Sequence, residues 1–182
     1  VRLAYTKTHL YVAVEALDDK MDQIHATERR EDRFYRGDDY VQLHIDPGHN
    51  HRTKYGFFSN PLGTKLDGNE GFSGSSWNTG WTAEWEVAAK ILEDRWVFEM
   101  KIPFGTMNYN KADDQTWGFN FTRWSPRLDS LSFWNFRSTD SFRPRQFGHV
   151  TGLNLAESTF SRNWETSPYI SSRADFGSKS DT

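Results

Sequence analysis

The sequence contains no cysteine, which excludes a disulfide framework and any thiolate metal site. That absence is compatible with the cytosol and equally with a bacterial periplasm. No stretch is apolar enough for a membrane-spanning helix. A formal net charge of −3 over 182 residues lacks the basic footprint of a nucleic-acid binder. A sustained helical period is missing throughout, and so are a phosphate loop, a G-x-S-x-G elbow and an H-E-x-x-H pair. Residue 1 is Val and a strand pattern starts almost at once; this reads as a trimmed fragment from which any signal peptide has been removed.

Aromatics, by contrast, are abundant: 8 Trp, 7 Tyr and 14 Phe give an aromatic-rich, aliphatic-poor core suited to β-sheets and to stacking flat apolar ligands. The alternation in "HLYVAVEAL" puts Leu10, Val12, Val14 and Ala16 on one face. In "DDYVQLHID", Val41, Leu43 and Ile45 point inward while Tyr40, Gln42, His44 and Asp46 face the other way. "KYGFFSNP" reads as a strand, "NPLG" as a turn and "LDGNEGFSGSS" as a Gly/Ser-rich loop. "TAEWEVAAKI" and "RWVFEMKIP" read as a hairpin; Ala83, Trp85, Val87, Ala89 and Ile91 form one buried face and Trp96, Phe98, Met100 and Ile102 its counterpart. "PFGTM" is a short helical turn, and "TWGFNFTRW", "LSFWNF" and "FGHVTGL" complete the set, with Trp117, Phe119 and Phe121 sharing a face. Many short strands divided by turns predict an all-β antiparallel sandwich. Composition shifts after Leu153, so residues 1–153 are read as the sandwich. Residues 154–182 are a linker or the start of a following β region, with Trp164 to Ala174 able to form a strand.

Candidate chemistry concentrates in a few places. "GDDYVQLHIDPGHNHR" gathers His44, Asp46, His49 and His51, but a histidine metal site needs side chains converging on one point. A solvated hairpin tip is favoured there over a transition-metal site. Asp18, Asp19 and Asp22 end one strand and Asp38 and Asp39 begin another; loop carboxylates of this kind are candidate calcium ligands, against the commoner role of aspartate in turns. Glu84, Glu86 and Glu99 are the carboxylates a glycosidase would have to use, yet all fall on outward strand faces. Trp85, Trp96 and Trp117 fall on apolar faces and read as core. Trp77, Trp81, Trp124 and Trp134 do not, and an indole outside the core fits the C–H face of a sugar ring, with Gln42, His44, Asn120 and Arg123 supplying hydrogen bonds. Packing under a long loop is about as good a reading for any one of these Trp residues, and Arg123 alternates to the face opposite Asn120.

In order along the chain, "HLYVAVEALDD", "ERREDRFYRGDDYVQLHIDPGHNHRTKYGFFSNPLGTKLDG", "WTAEWEVAAKI", "RWVFEMKIPF", "WGFNFTRW" and "FGHVTGL" resemble the family 9 carbohydrate-binding module-like domain. The variety they are most similar to stands at the N-terminus of bacterial envelope proteins, ahead of an outer-membrane β-barrel region sometimes described as a membrane-associated hydrolase. The resemblance runs from about Val1 to Leu153, with the family's first strand missing ahead of Val1. It implies a jelly-roll type sandwich in the bacterial periplasm or outer membrane, binding oligo- or polysaccharide between aromatic rings, often with structural calcium, beside polysaccharide-degrading machinery. It also implies that the tail leads into the barrel region of the same chain. Three rival readings stand beside this one: a plug or docking domain for the barrel, part of a hydrolase acting on glycosidic bonds, and haem binding. The last would need an axial His or Met in an apolar pocket; of Met21, Met100 and Met107, Met100 reads as core, and haem ranks last.

Overall fold

The computed structural model describes residues 1–33, 36–71, 77–136 and 140–158. In chain order the strands are β1 (Arg2–Tyr5), β2 (His9–Leu17), β3 (Tyr40–Asp46), β4 (Lys54–Ser59), β5 (Lys65–Glu70), β6 (Glu86–Ile91), β7 (Arg95–Pro103), β8 (Gln115–Ser125), β9 (Ser130–Phe133) and β10 (Gly148–Leu153). They form two antiparallel sheets. The smaller runs β1-β2-β7-β6 and the larger β10-β8-β3-β4-β5, with β9 also paired to β8. β10 covers the edge of β8 from Gln115 to Phe119 and β9 covers the same edge from Thr122 to Ser125, so two short strands lie end to end along one long one. The result is the expected all-β sandwich.

The period-2 alternation places the core between the sheets. Leu10, Val12, Val14 and Ala16 of β2 and Trp96, Phe98, Met100 and Ile102 of β7 meet Val41, Leu43, Ile45, Phe57, Trp117, Phe119 and Phe121 of the larger sheet. Burying side chains of this size stabilises by roughly 1.5–3 kcal/mol each. Phe104, in a single 3-10 turn over Phe104–Thr106, joins that core. Packing continues past Leu153: Leu155 is buried in the core, and Ser158 Oγ sits 2.7 Å from Tyr109 Oη. Trp164 to Ala174 lie outside the described residues.

The expected hairpin is shorter than its pattern. Ala83 and Trp85 are buried ahead of β6, whereas Val87 and Ala89 are half-buried and Ile91 is exposed. β6 is the edge of the smaller sheet, so its far end is not covered by the larger one. Trp85 is fixed by Asp67, whose Oδ2 accepts from the indole N–H at 2.8 Å while Oδ1 accepts from the Ala83 N–H at 3.2 Å. Asp67 belongs to β5, a strand where the glycine-rich composition predicts a loop. Its inward face anchors the 83–85 segment, and its outward face builds the site described next.

β3 is the other departure from simple alternation, because all seven of its residues are buried. Val41, Leu43 and Ile45 face the core. Tyr40, Gln42, His44 and Asp46 face the outer side of the sheet, where loops and aromatic rings cover them.

Candidate functional site

The register of the larger sheet assembles an outer-face surface from widely separated residues. Tyr40 pairs with Trp124, Gln42 with Thr122, and His44 with Asn120; on the other side Gln42 pairs with Phe58 and His44 with Gly56, and Phe58 with Leu66 and Gly56 with Gly68. Two adjacent glycines leave a bare strip of backbone, and the Trp77 indole fills it. A Cβ at Gly56 would stand 2.5 Å from the Trp77 ring and one at Gly68 2.6 Å from it, closer than non-bonded carbon atoms approach. The Asn69–Asn78 bridge, with backbone bonds of 3.1 and 2.8 Å, holds the segment in register.

Trp77, Trp124, Tyr40, Phe58 and Leu66 form an apolar cluster separate from the main core. They line a cavity of about 470 Å³ together with Arg36, Gln42, His44, Lys54, Leu131 and Phe142. That volume is in the range of small-molecule sites, as is the mix of aromatic walls with a few polar groups. Tyr40 and Trp124 stack at 6.4 Å and 26°, and the Trp124 N–H donates to the Arg36 carbonyl at 3.1 Å. Trp77 meets His44 edge-on at 6.1 Å and Phe58 at 5.6 Å.

The polar floor is tightly organised. Gln42 Oε1 lies 3.0 Å from His44 Nε2 and accepts from the Thr122 hydroxyl at 3.0 Å. Burial first, and the Lys54 charge second, push the His44 imidazole well below its usual range, so it is neutral at pH 7. With Oε1 accepting, Nε2 carries the proton, which leaves Nδ1 as a buried acceptor with no partner among the described residues. Lys54 is paired with Glu70 at 2.9 Å, donates to the Phe142 carbonyl at 2.7 Å and lies 5.8 Å from the Trp77 ring centroid. Burial raises the Tyr40 phenol above its ordinary value, opposed by a hydrogen bond with Gln42. No carboxylate stands among the described lining residues.

Of the sugar-contact residues expected from the sequence, Trp77, Trp124, Gln42 and His44 come together here. The other four are placed elsewhere. Trp81 packs at the end of the main core, 5.1 Å from the Tyr55 ring and 6.1 Å from Phe57. Trp134 is 56% exposed and rests over Gly148 and the edge of Phe121, at the rim between the sheets. Asn120 is on the outer face, but its amide is consumed by the Asn135 and Ser141 carbonyls and the Asn135 N–H. Arg123 reaches the Leu17 carbonyl and Asp18 instead, as its opposite parity requires. Tyr40, Phe58, Leu66 and Lys54 were legible only through strand register; Arg36 and Phe142 come from loops with no pattern to reveal them.

Of the aspartates weighed as calcium ligands, Asp18, Asp19, Asp38 and Asp39 do not assemble into an oxygen cage. Asp18 accepts from Arg123 at 2.6 Å, Arg127 at 2.7 Å and the Lys20 N–H at 2.9 Å. Burial works against its charge, and these donors still hold its carboxyl below the usual value. Asp38 accepts from the Thr27 and Glu28 N–H groups at 2.9 Å and from Asn60 at 3.0 Å; burial again opposes, and the donors again prevail. Asp39 accepts from the His25 N–H at 2.9 Å, and burial raises its carboxyl. Asp19 is exposed, 3.6 Å from Arg127. Donors occupy Asp18 and Asp38, whereas Asp39 Oδ1 is buried with no partner among the described residues and Asp19 is exposed, so as placed the four do not make a ready calcium cage.

The model of the carbohydrate family 9 binding domain-like family matches residues 1–151. A solved structure from Bacteroides uniformis, of a protein described as a candidate carbohydrate-binding protein, is similar in fold. It has a TM-score of 0.64 at 15% identity over 82% of this chain and 76% of that one. A family 9 carbohydrate-binding module from Caldicellulosiruptor kristjanssonii, solved in complex with glucose, gives a TM-score of 0.54 at 14% identity, over 81% of this chain and 72% of that one. No curated protein sequence matches.

Proposed function

The chain belongs to the carbohydrate family 9 binding domain-like family, and from that premise we propose that it binds glycan in the outer-face groove, with Trp77 and Trp124 as the stacking surfaces. The observation that carries this reading is the Gly56–Gly68 strip. Two glycines side by side in adjacent strands weaken a sheet, and here the vacancy is filled by an indole that also walls a cavity of sugar-binding size. Gln42 and Tyr40 at the floor and Arg36 at the mouth are the groups suited to hydroxyls. The glucose complex of a protein of similar fold supports the ligand class.

The resemblance further supports a place for this domain in the bacterial envelope, beside a β-barrel region and in the breakdown of polysaccharide. Detergent fractionation of cells expressing the native full-length protein tests that placement; recovery outside the envelope fraction rejects it. The binding role is tested by titrating the chain with plant, algal and bacterial oligosaccharides and following tryptophan fluorescence. One glycan class should give a saturable change, weakened at least about tenfold, or 1.4 kcal/mol, by Trp77→Ala and by Trp124→Ala. Wild-type affinity in both variants rejects the groove; silence across the panel favours the docking role.

A further inference from the structure

Beyond the groove, the same sheet face gathers three histidines, two from one loop and the third from a strand distant in sequence. We propose that His49, His51 and His149 form a binding site for a divalent first-row transition ion, with zinc as its test ion. His49 and His51 belong to the β3–β4 loop and His149 to β10. They meet because Asp46, at the end of β3, pairs with Gly118 of β8, and Gly118 pairs with His149.

The ring centroids lie 4.5 Å apart for His49–His51, 4.7 Å for His49–His149 and 6.2 Å for His51–His149. Ring nitrogens about 2.0–2.1 Å from a tetrahedral ion set imidazole centroids roughly 5 Å apart, which the three separations bracket. As the side chains stand, no group of three His, Cys, Asp or Glu among the described residues is placed to hold a metal ion. Reaching a common point takes rotation of rings, two of which, His51 and His149, are on exposed residues. A hairpin tip whose histidines merely face solvent would not collect a third from another strand.

Two features of the loop point the same way. His49 and His51 both adopt left-handed backbone, with φ of 45° and 60°, a conformation uncommon for side-chain-bearing residues. Asp46 holds that shape, one carboxylate oxygen accepting from the His51 N–H at 2.8 Å and the other from the Asn50 N–H at 3.2 Å. Local strain of this kind collects at ligand sites. The second feature is His49 Nε2, which is shut off from solvent and has no partner among the described residues. Three imidazoles with an open fourth position suit zinc, nickel or copper better than calcium or magnesium.

Calorimetric titration of the whole chain with zinc in chelator-treated buffer tests the site. One ion should bind per chain, with affinity lowered at least about tenfold in His149→Ala and in His51→Asn; asparagine tolerates the left-handed backbone, and urea unfolding checks that both variants remain folded. His9→Ala should bind as wild type. Cobalt substituted for zinc should give the visible bands of a tetrahedral site in the wild type and lose them in His149→Ala. No saturable zinc binding, or unchanged affinity in both folded variants, overturns the proposal.

Discussion

Gly56→Ala isolates the contact on which the groove depends. The new methyl carbon would stand 2.5 Å from Trp77 Cη2, 3.0 Å from Phe58 Cε2 and 3.2 Å from His44 Nδ1. Relieving the first contact requires the indole to move by about 1 Å, since carbon atoms settle near 3.5–4.0 Å. Overpacking of this kind costs about 1–3 kcal/mol, while losing a flexible glycine from the unfolded chain returns about 0.4–1 kcal/mol. The variant should therefore be less stable by about 1–2 kcal/mol, a melting shift of roughly 2–8 °C for a chain of this size. The 2.5 Å contact goes with the indole while those to Phe58 and His44 remain, so most but not all of the cost should disappear once Trp77 is removed. Urea unfolding followed by far-ultraviolet circular dichroism on wild type, Gly56→Ala, Trp77→Ala and the double variant measures this directly. A coupling energy of about 1–2 kcal/mol is expected, and additivity to within about 0.5 kcal/mol refutes the reasoning that Trp77 is seated on this strip.

Other consequences can be measured separately. Trp81→Ala should lower stability by about 2–3 kcal/mol, because its ring closes the core against Tyr55 and Phe57, and leave glycan affinity within about twofold of wild type; a larger binding loss contradicts its placement. His44 is held neutral in the fold, so the unfolded chain takes up its proton first as pH falls below about 6.5. Stability should drop between pH 6.5 and 5 with a contribution of up to about 1.4 kcal/mol per pH unit from this group, and His44→Gln should flatten that slope; an unchanged slope rejects it. Arg123→Ala removes one of the two guanidiniums on the little-exposed Asp18 and leaves Arg127 in place; urea unfolding should show a loss of about 2 kcal/mol, and no loss refutes the pairing. Calcium or chelator should move the wild-type melting temperature by less than about 1 °C; a calcium-dependent rise of several degrees, lost in Asp39→Asn, refutes that reading.

The sandwich was legible because its core strands obey strict alternation: Trp96, Phe98, Met100 and Ile102 read as one buried face and are one. β5 was not, since Asp67, Gly68 and Asn69 carry turn chemistry wherever burial and neighbours are ignored. The glycine is there for the Trp77 ring and the aspartate for the Trp85 N–H, and both reasons lie in other segments. Parity correctly gave Gln42 and His44 a face of their own, but it treated that face as one of several equivalent outer surfaces. Which Trp residues share it depends on register, and register joins Trp124 to Tyr40 while leaving Trp81 at the core. The surroundings of Asp18 were hidden for a related reason. A carboxylate in a loop suggests a cation, and only the folded chain reveals that Arg123 and Arg127 arrive from β8 and the turn after it.

The central ladders also govern how the chain reaches this state. β2 pairs with β7, from His9 with Pro103 to Leu17 with Arg95, and β3 pairs with β8, from Tyr40 with Trp124 to Asp46 with Gly118. Their partners are thus about eighty residues apart, and loop closure on that scale precedes any reward from contact, which places folding in the millisecond-to-second range. On the ribosome β3 can find β4 early, but its other edge stays open until residues 115–125 have emerged. For that interval a strand destined to be covered on both faces lies bare, and the nascent chain depends on delay, chaperone cover or dilution to escape pairing with its neighbours.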